Sequence, residues 1–555
     1  MTTAEEPGGR SVGAATAIIA SGTLVSRILG FVSGVVAAQT IGIVGTGANT
    51  FALANQLPNN IAILLAAGLF NAVFVPAIVR AGLHDDGGAR FINRLVTLGI
   101  VVFLGVGVIS TLAAPLLVTL YAQLGPAGDG GFSDADIALA TAFAYWCLPQ
   151  VLFYALYSLL GEVLNARGVF GPFSWAPAIN NIVAIGGLIA FSVLFGGKEV
   201  VSRLGADAWT PEMIALLGGS TTLGVAAQAF ILIFFWRRAG LRYRPDFQWR
   251  NAGLGTAGRA ALWTFAMITV TQLAGIVQSN VASLSATPGE DNASLAVLRM
   301  AFLIFMLPHS IAAIPITTAY FTRMSADARD GDFDSLRADV RQSLLSIGFV
   351  IVFSAIGLMV ISLPFSALFA EPDDVPAMAV VLVAFLIGLL PLSVHYVLRR
   401  VFFALENTRT PFFITVFQAV LFVIGALIVA GLPADRIAVG LAVVTSAAAA
   451  AQAGLALVLV RRRLGHLGFG VLVRRYAVFL GATLPAAGLG LLVVWALGCF
   501  SADGFGLASP FTAIVTLAAA GSVMAIVYGG ILLAVRNPEA TAFARPVLSR
   551  LRRRR

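Results

Sequence analysis

Two arginines stand inside apolar stretches of this 555-residue chain: Arg27 in "SGTLVSRILGFVSG" and Arg299 in "SLAVLRMAFLIFMLPHS". A guanidinium presents its donors in a planar fork that matches phosphate oxygens, and a low local dielectric strengthens the pairing. At the centre of a membrane helix an arginine costs about 2.5–3.5 kcal/mol, so it normally faces a bundle interior or a watery cavity. The pair therefore predicts an anion-binding cavity. Arg299 is nearer the end of its stretch, so snorkelling to the membrane surface is an alternative interpretation there.

The elements that must hold these arginines follow from the composition of the chain. It is 59% hydrophobic and only 11% charged, with a mean hydropathy of +0.93, whereas a soluble protein carries about 25% charged residues. Continuous apolar runs long enough to cross a bilayer recur along it. We predict an all-α polytopic membrane protein with about 14 transmembrane helices. The predicted spans are 12–40, 48–80, 92–121, 135–164, 172–196, 211–236, 260–285, 293–322, 341–369, 376–402, 410–431, 436–460, 475–499 and 511–535.

The basic residues predict the orientation of these spans, because positive charge concentrates on the cytoplasmic side. Of the 35 Lys and Arg residues, 30 fall on one side of the map and only Lys198, Arg203 and Arg436 on the other; the remaining two are Arg27 and Arg299. We therefore predict a multi-pass protein of the cytoplasmic membrane with both termini in the cytoplasm. The tail "RPVLSRLRRRR" is expected to lie on anionic inner-leaflet lipids, so the net charge of +9 requires no nucleic-acid partner.

Motifs for catalysis or for a cofactor are not found in the sequence. "GGKEV" lacks the spacing of a nucleotide-binding P-loop, and the four histidines form no metal-spaced pair. Cys147 and Cys499 both fall within predicted spans, far apart in sequence. We predict a protein that is not an enzyme, with no catalytic residue, metal or cofactor.

An internal repeat predicts how the spans are organised. "LPNNIA" (57–62) lies in the second span and "LPHSIA" (307–312) in the eighth, and an even separation gives both the same direction. Parallel repeats with broken helices are typical of transporters. We predict a cytoplasmic N-terminal segment, two parallel six-helix lobes joined by a basic cytoplasmic linker, two C-terminal helices and a basic tail. Their respective bounds are 1–11, 12–238, 239–259, 260–463, 464–536 and 537–555.

Five ordered motifs carry a resemblance to a known family. "TLVSRILGFVSGVVAA", "QLPNNIAILLAAGLFNAVFVP", "LNARGVFGPFSWAPAINNIV", "LRMAFLIFMLPHSIAAIPITTAYF" and "RRVFFALENTRTPF" resemble the MurJ (MviN) proteins, lipid II flippases of the multidrug/oligosaccharidyl-lipid/polysaccharide exporter superfamily. The resemblance covers essentially the whole chain. It implies two lobes around a central cavity and a lipid-tail groove near the last two helices. It also implies outward movement, by alternating access, of an undecaprenyl-pyrophosphate-linked muropeptide across a bacterial cell membrane.

The resemblance also implies roles for individual residues. Arg27 matches the family's Ser-Arg arginine in span one, and Arg299 matches its span-eight arginine; both would hold the pyrophosphate. Beside these carried-over roles, the residue types alone indicate that Asn59 and Asn60 of span two would add neutral hydrogen bonds, with interhelical packing as the alternative. Asn49, which stands where an aspartate usually opens span two, completes the predicted substrate-binding set.

Further departures from the family pattern predict a cavity with less charge than usual. Ser33 and Gly34 replace a basic–acidic pair, and Ala62, Ile63 and Ala67 replace two arginines and a glutamate. Two alternatives to the lipid II flippase therefore stay open. One is an exporter of another polyprenyl-linked glycan, and the other is a transport-inactive scaffold whose partners are cell-wall synthesis proteins.

Overall fold

The structure is a computed structural model that describes residues 8–65, 89–122, 131–167, 169, 171–238, 242–248, 259–286, 292–501 and 504–543. All the regular elements among these residues are helical. The chain divides into two compact units, Met1–Ala296 and Val297–Arg555.

Among the described residues of both units, thirteen helical stretches are long and apolar enough to cross a membrane. They coincide with 13 of the predicted spans. The other, 48–80, runs into residues 66–88, which lie outside the described residues. The all-α polytopic membrane fold is therefore confirmed, whereas the count of fourteen stays a prediction.

Unit 1 contains ten α-helices in its described part, besides the 3-10 turn Ala206–Ala208. They are α1 (Gly8–Ile41), α2 (Thr46–Leu65), α3 (Ala89–Leu112), α4 (Ala114–Ala122), α5 (Asp134–Cys147), α6 (Gln150–Ala166), α7 (Gly171–Phe195), the short α8 (Lys198–Val201), α9 (Pro211–Arg238) and α10 (Arg259–Ser283). The predicted span 135–164 is two helices, because Pro149 has no N–H to continue the ladder. Helix α10, the first helix of the predicted second lobe, packs on α2 and α4. The two-lobe repeat itself stays a prediction.

The packing of α1 on α7 depends on small residues. Gly22 lies so close to the indole of Trp175 that a Cβ there would be 2.6 Å from Trp175 Cδ1. Two turns later Gly30 lies beside Asn181, whose Nδ2 donates to the Ser26 carbonyl at 3.0 Å. Small residues let helix backbones approach closely in a membrane, where lipid supplies no hydrophobic driving force. This contact fixes the rotation of α1 about its axis.

Polar side chains join α10 to its neighbours. Gln56 Nε2 on α2 donates to Ser279 Oγ at 2.8 Å, and Asn280 Nδ2 donates to the Leu120 carbonyl on α4 at 2.8 Å. Each such bond satisfies a group that hydrocarbon would leave unpaired. Together they fix the register of α10 within unit 1.

Unit 2 begins inside α11 and contains the remaining helices of the described chain. They are α11 (Leu295–Pro308), α12 (Ile314–Asp330), α13 (Phe333–Val360), α14 (Ser362–Ser366), α15 (Val375–Leu386), α16 (Leu389–Ala404), α17 (Arg409–Val429), α18 (Ala434–Leu464), α19 (Phe469–Ala496) and α20 (Pro510–Ala534). Helix α13 packs on α12, α16 and α19. Phe349 of α13 lies 5.7 Å from the Tyr528 ring of α20, and the Tyr528 hydroxyl donates to the Phe349 carbonyl at 2.6 Å.

The two proline motifs of the internal repeat adopt different structures. Pro58 lies within α2, which stays helical on both sides. Pro308 ends α11 and is followed by a π-helical segment, His309–Ala313, before α12 begins. A π turn inside a membrane helix is an identifiable cause of a bend. The sequence similarity of the two motifs does not extend to their hydrogen-bonding pattern.

Helices α12 and α13 extend beyond the predicted spans 293–322 and 341–369. They run on to Asp330 and from Phe333, joined by a tight turn at Gly331, whose φ of 74° is left-handed. Asp332 caps α13 by accepting a hydrogen bond from Ser335 N at 3.0 Å. Hydropathy locates the membrane-crossing length of a helix, whereas polar turns beyond it are stabilised by caps and charges.

Candidate functional site

Arg27 projects from a face of α1 different from the one that packs on α7. Its side chain is exposed, as are Thr23, Leu24 and Ile28 around it. Ser26, which accepts the bond from Asn181, is one residue and about 100° away around the helix. Among the described residues, Arg27 forms no hydrogen bond or ion pair. An arginine far inside a membrane span, held by a well-packed helix and paired with no carboxylate of the described residues, is suited to receive an anionic ligand.

Arg299 is in the second turn of α11, about 6 Å along the axis from its first residue. Its side chain is exposed, while Leu298 before it is buried. This location near a helix start keeps both interpretations of Arg299 open, a cavity ligand and a snorkelling side chain. Arg27 belongs to unit 1 and Arg299 to unit 2.

Asn49 is buried, with 3% of its surface exposed. Its Oδ1 accepts a hydrogen bond from the backbone N–H of Ala296 at 3.1 Å. Ala296 is the second residue of α11, and the first N–H groups of a helix have no partner within the helix. Asn49 therefore supplies a cap from a distant part of the sequence. In this conformation it positions a helix rather than facing a ligand, and its predicted substrate contact stays a prediction.

Asn59 and Asn60 lie together in α2, about 15 Å along the helix axis from Asn49. Asn59 is exposed. Asn60 Nδ2 donates to the Tyr121 hydroxyl at 3.4 Å, and the Asn60 carbonyl accepts a bond from Gln272 Nε2 at 2.9 Å. Asn60 thus contributes to interhelical packing, and Asn59 is the asparagine of this pair that is free to reach a ligand.

Two of the uncharged positions at which the resemblance implies a departure from the family pattern lie on the same stretch of α2. Ala62 and Ile63 are three and four residues after Asn59, so the three side chains share a face of the helix. Ile63 is 39% exposed. An arginine at residue 62 would accordingly project beside Asn59. Ala67 lies outside the described residues.

An apolar cavity of about 640 Å³ lies within unit 2. Its walls come from α13, α15, α16, α18 and α19, with Ile356, Leu390, Leu457 and Leu480 among the lining residues. Tyr476 is also part of the wall, and its hydroxyl donates to the Leu344 carbonyl at 2.8 Å. None of the described residues that line the cavity is charged. It is suited to hold a hydrocarbon chain, and α19 is the first of the last two helices, where the resemblance placed a lipid-tail groove.

Sequence reasoning missed several residues that position the site. Asn181 orients α1, and Tyr121 and Gln272 hold Asn60; their partners are far away in sequence, and no spacing signals such contacts. Arg399 and Arg400 had a signal in "RRVFFALENTRTPF" but were interpreted only as charges that set topology. The structure places both against aromatic rings inside unit 2.

Comparisons with known proteins agree with this arrangement. The chain is 27% identical over 411 residues to the probable lipid II flippase MurJ of Vibrio cholerae serotype O1, covering 71% of this chain and 73% of that protein. It is 28% identical over 417 residues to the Haemophilus influenzae protein of the same description, covering 70% and 75%.

Solved structures show the same fold. A lipid II flippase MurJ in an inward closed conformation matches with a TM-score of 0.68 at 19% identity, covering 96% of this chain and 99% of that chain. An inward-facing multidrug resistance transporter of the MATE family matches with a TM-score of 0.57 at 16% identity, covering 80% and 95%. The sequence pattern of the family described as lipid II flippase MurJ matches residues 37–516. The chain therefore belongs to the MurJ family.

Proposed function

We propose that this protein moves lipid II, the lipid-linked peptidoglycan precursor, from the inner to the outer leaflet of the bacterial cytoplasmic membrane by alternating access. The observation that carries the proposal is Arg27, an exposed guanidinium inside a membrane-spanning helix, with no ion pair among the described residues. Lipid II carries a pyrophosphate that cannot enter hydrocarbon unaccompanied. Arg27 would supply the counter-charge during the crossing.

The two parts of such a substrate need different surroundings. The pyrophosphate needs donors such as Arg27, Arg299 and the Asn59 carboxamide, whereas the polyprenyl chain needs apolar walls. The cavity beside α19 offers such walls within unit 2. The process breaks no covalent bond in the substrate, so the proposed activity is transport without catalysis.

The experiment that tests the proposal uses bacterial cells depleted of their own lipid II flippase and relying on this protein. Lipid II on the outer leaflet is measured with an externally added toxin that cleaves it. The proposal predicts cleavage and continued growth. If the protein folds and inserts but exposes no lipid II, the flippase proposal is wrong and the scaffold alternative is favoured. Growth without lipid II exposure, together with export of another polyprenyl-linked glycan, would favour the second alternative.

The orientation is proposed from charge, with both termini in the cytoplasm, and it is tested by labelling with a thiol reagent that does not cross the membrane. Single cysteines at Lys198 and Arg436 should react from outside, whereas those at Arg329 and Arg462 should not. The native Cys147 and Cys499 are both buried, so the background should be low. Reversal at two or more sites would overturn the proposed orientation.

A further inference from the structure

Two consecutive arginines near the C-terminal end of α16 lie against aromatic rings. The Arg400 Cζ is 4.8 Å from the ring centroid of Phe321 on α12 and 5.4 Å from that of Tyr396. The Arg399 Cζ is 5.3 Å from the Tyr396 ring and 6.0 Å from the Phe403 ring. Arg400 Nη2 also donates to the Tyr396 hydroxyl at 3.0 Å. These five residues are called the arginine–tyrosine cluster.

The cluster carries two positive charges without a matching acid. The Nε of both Arg399 and Arg400 is buried and has no hydrogen-bond acceptor. No carboxylate in the described part of the chain forms an ion pair with either guanidinium. A buried charge that lacks a partner is costly. The geometry is that of a receptor whose anion is supplied from outside the chain.

Two carboxylates of unit 2 form ion pairs with other arginines. Asp339 accepts a bond from Arg323 Nη2 at 2.6 Å, and Asp334 accepts one from Arg337 Nη2 at 2.5 Å. Within the described residues, acids pair with arginines on α12 and α13 but with neither of the two on α16. Neutralisation of the cluster is left to a ligand.

An arginine that only sets membrane topology is expected to be more exposed than Arg399 and Arg400. Arg238, at the end of α9, also stacks on a ring, with its Cζ 4.7 Å from the Phe234 centroid, yet its side chain is exposed to the surroundings. Arg399 and Arg400 are only partly exposed, and their Nε atoms are fully covered. The concentration of positive charge on the cytoplasmic side explains an exposed arginine such as Arg238, but it does not explain why Arg399 and Arg400 are partly buried.

The cluster also contacts the π-helical segment that follows the helix carrying Arg299. The Tyr396 ring packs edge-on against the His309 ring at 5.3 Å, and His309 Nδ1 is 3.0 Å from Ser393 Oγ on α16. His309 is the first residue of the π segment. π-helical turns are frequent at functional sites and bend the helix. An anion that displaces Tyr396 from Arg400 would therefore act directly on this bend.

We propose that Arg399 and Arg400 form a second anion site, which binds the phosphate-bearing headgroup of a lipid presented from the cytoplasmic leaflet. Two adjacent guanidiniums match two phosphate groups, so the pyrophosphate of a lipid-linked substrate fits better than one phosphodiester. The choice of that substrate rests on the proposed flippase function. The leaflet follows from the predicted orientation, which places this end of α16 in the cytoplasm.

The test is direct binding to the purified full-length protein, measured by native mass spectrometry. The probes are undecaprenyl pyrophosphate, phosphatidylglycerol and inorganic pyrophosphate. The double variant Arg399→Gln/Arg400→Gln should bind undecaprenyl pyrophosphate at least about tenfold more weakly than the wild type, since charge-assisted hydrogen bonds are lost. The matched control Arg238→Gln, which removes one stacked but exposed arginine, should bind as the wild type does.

The three probes distinguish the sources of the phosphate. An equal loss of phosphatidylglycerol binding would support the site as one for phospholipid headgroups generally. A loss confined to undecaprenyl pyrophosphate would assign it to the substrate. A loss for inorganic pyrophosphate as well would show that the phosphates alone suffice. Unchanged binding of all three probes by the double variant would overturn the proposal.

A second variant keeps the test valid if the double variant misfolds. Tyr396→Phe retains the ring but removes the hydroxyl that accepts from Arg400, so undecaprenyl pyrophosphate should bind as tightly or more tightly; weaker binding would contradict the proposal. Failure of this site and failure of the flippase function give different results. If the protein exposes lipid II but the double variant binds undecaprenyl pyrophosphate as the wild type does, only the second anion site is refuted. If the double variant loses this binding but the wild type exposes no lipid II, only the flippase function is refuted.

Discussion

Replacement of Arg27 by alanine should abolish or sharply reduce lipid II exposure while the protein stays inserted and folded. The face of α1 that packs on α7 contains Gly22, Ser26 and Gly30, and Arg27 contributes no bond to it among the described residues. Removing the guanidinium also removes an insertion penalty of about 2.5–3.5 kcal/mol at a helix centre. Protein abundance should therefore be equal to or higher than that of the wild type.

The substitution Arg27→Ala should weaken the binding of the substrate. A hydrogen bond to a charged group contributes about 1.5–3 kcal/mol, which corresponds to a decrease of about 10- to 100-fold in apparent affinity for the pyrophosphate. Arg27→Lys should recover part of this loss, because an ammonium keeps the charge but lacks the planar fork. Toxin cleavage of lipid II at matched protein levels measures the effect, and Arg238→Gln controls for loss of one positive charge. Full activity of Arg27→Ala would refute the anion-binding role of this residue.

Three further predictions concern the neighbours of the site. Ala62→Arg should be tolerated and should tighten binding of undecaprenyl pyrophosphate about tenfold, because residue 62 shares a helix face with the exposed Asn59; weaker binding would contradict the idea of a charge-depleted cavity. Asn49→Ala should lower the free energy of unfolding by about 1 kcal/mol through loss of the helix cap. Asn49→Asp should leave the free energy of unfolding unchanged, because it retains the acceptor oxygen. Equal free energies of unfolding for the two variants would mean that the cap contributes nothing. Gly22→Leu should reduce the yield of folded protein by a clash with Trp175, whereas Gly186→Leu on α7, which has open space around it, should not; equal yields would refute the close α1–α7 contact.

The membrane architecture could be predicted from the sequence because each span is a local property. An apolar run of sufficient length must form a helix in hydrocarbon, whatever it packs against. The same argument could not find where α12 ends and α13 begins, because the left-handed Gly331 ends the first helix and Asp332 caps the second outside the apolar runs. It also could not distinguish Pro58 from Pro308, since the π turn after Pro308 depends on tertiary contacts such as that of His309 with Ser393.

The site was predictable only where a residue is anomalous by itself. Arg27 is anomalous because a charge in an apolar run requires an explanation. Asn49 is not anomalous, and its bond to the Ala296 N–H depends on two segments far apart in the chain. Arg399 was hidden for the opposite reason, because a positive charge near the predicted cytoplasmic end of a span already has an ordinary explanation. In the described part of the chain, the buried Nε of Arg399 distinguishes it from exposed arginines such as Arg238.

The pairing of arginines indicates what kind of partner each one requires. Arg94 and Arg323 bond to Asp246 and Asp339, and a carboxylate built into the chain neutralises its arginine permanently. Such a partner beside Arg27 would compete with a phosphate for the same donors and would have to be displaced in every transport cycle. A transporter must also release what it binds, because a ligand that stabilises one state too strongly stops the exchange between states. An arginine without an acid, on a helix face with few other charges, meets both requirements, since its charge attracts the pyrophosphate and the sparse surroundings limit how tightly it is held.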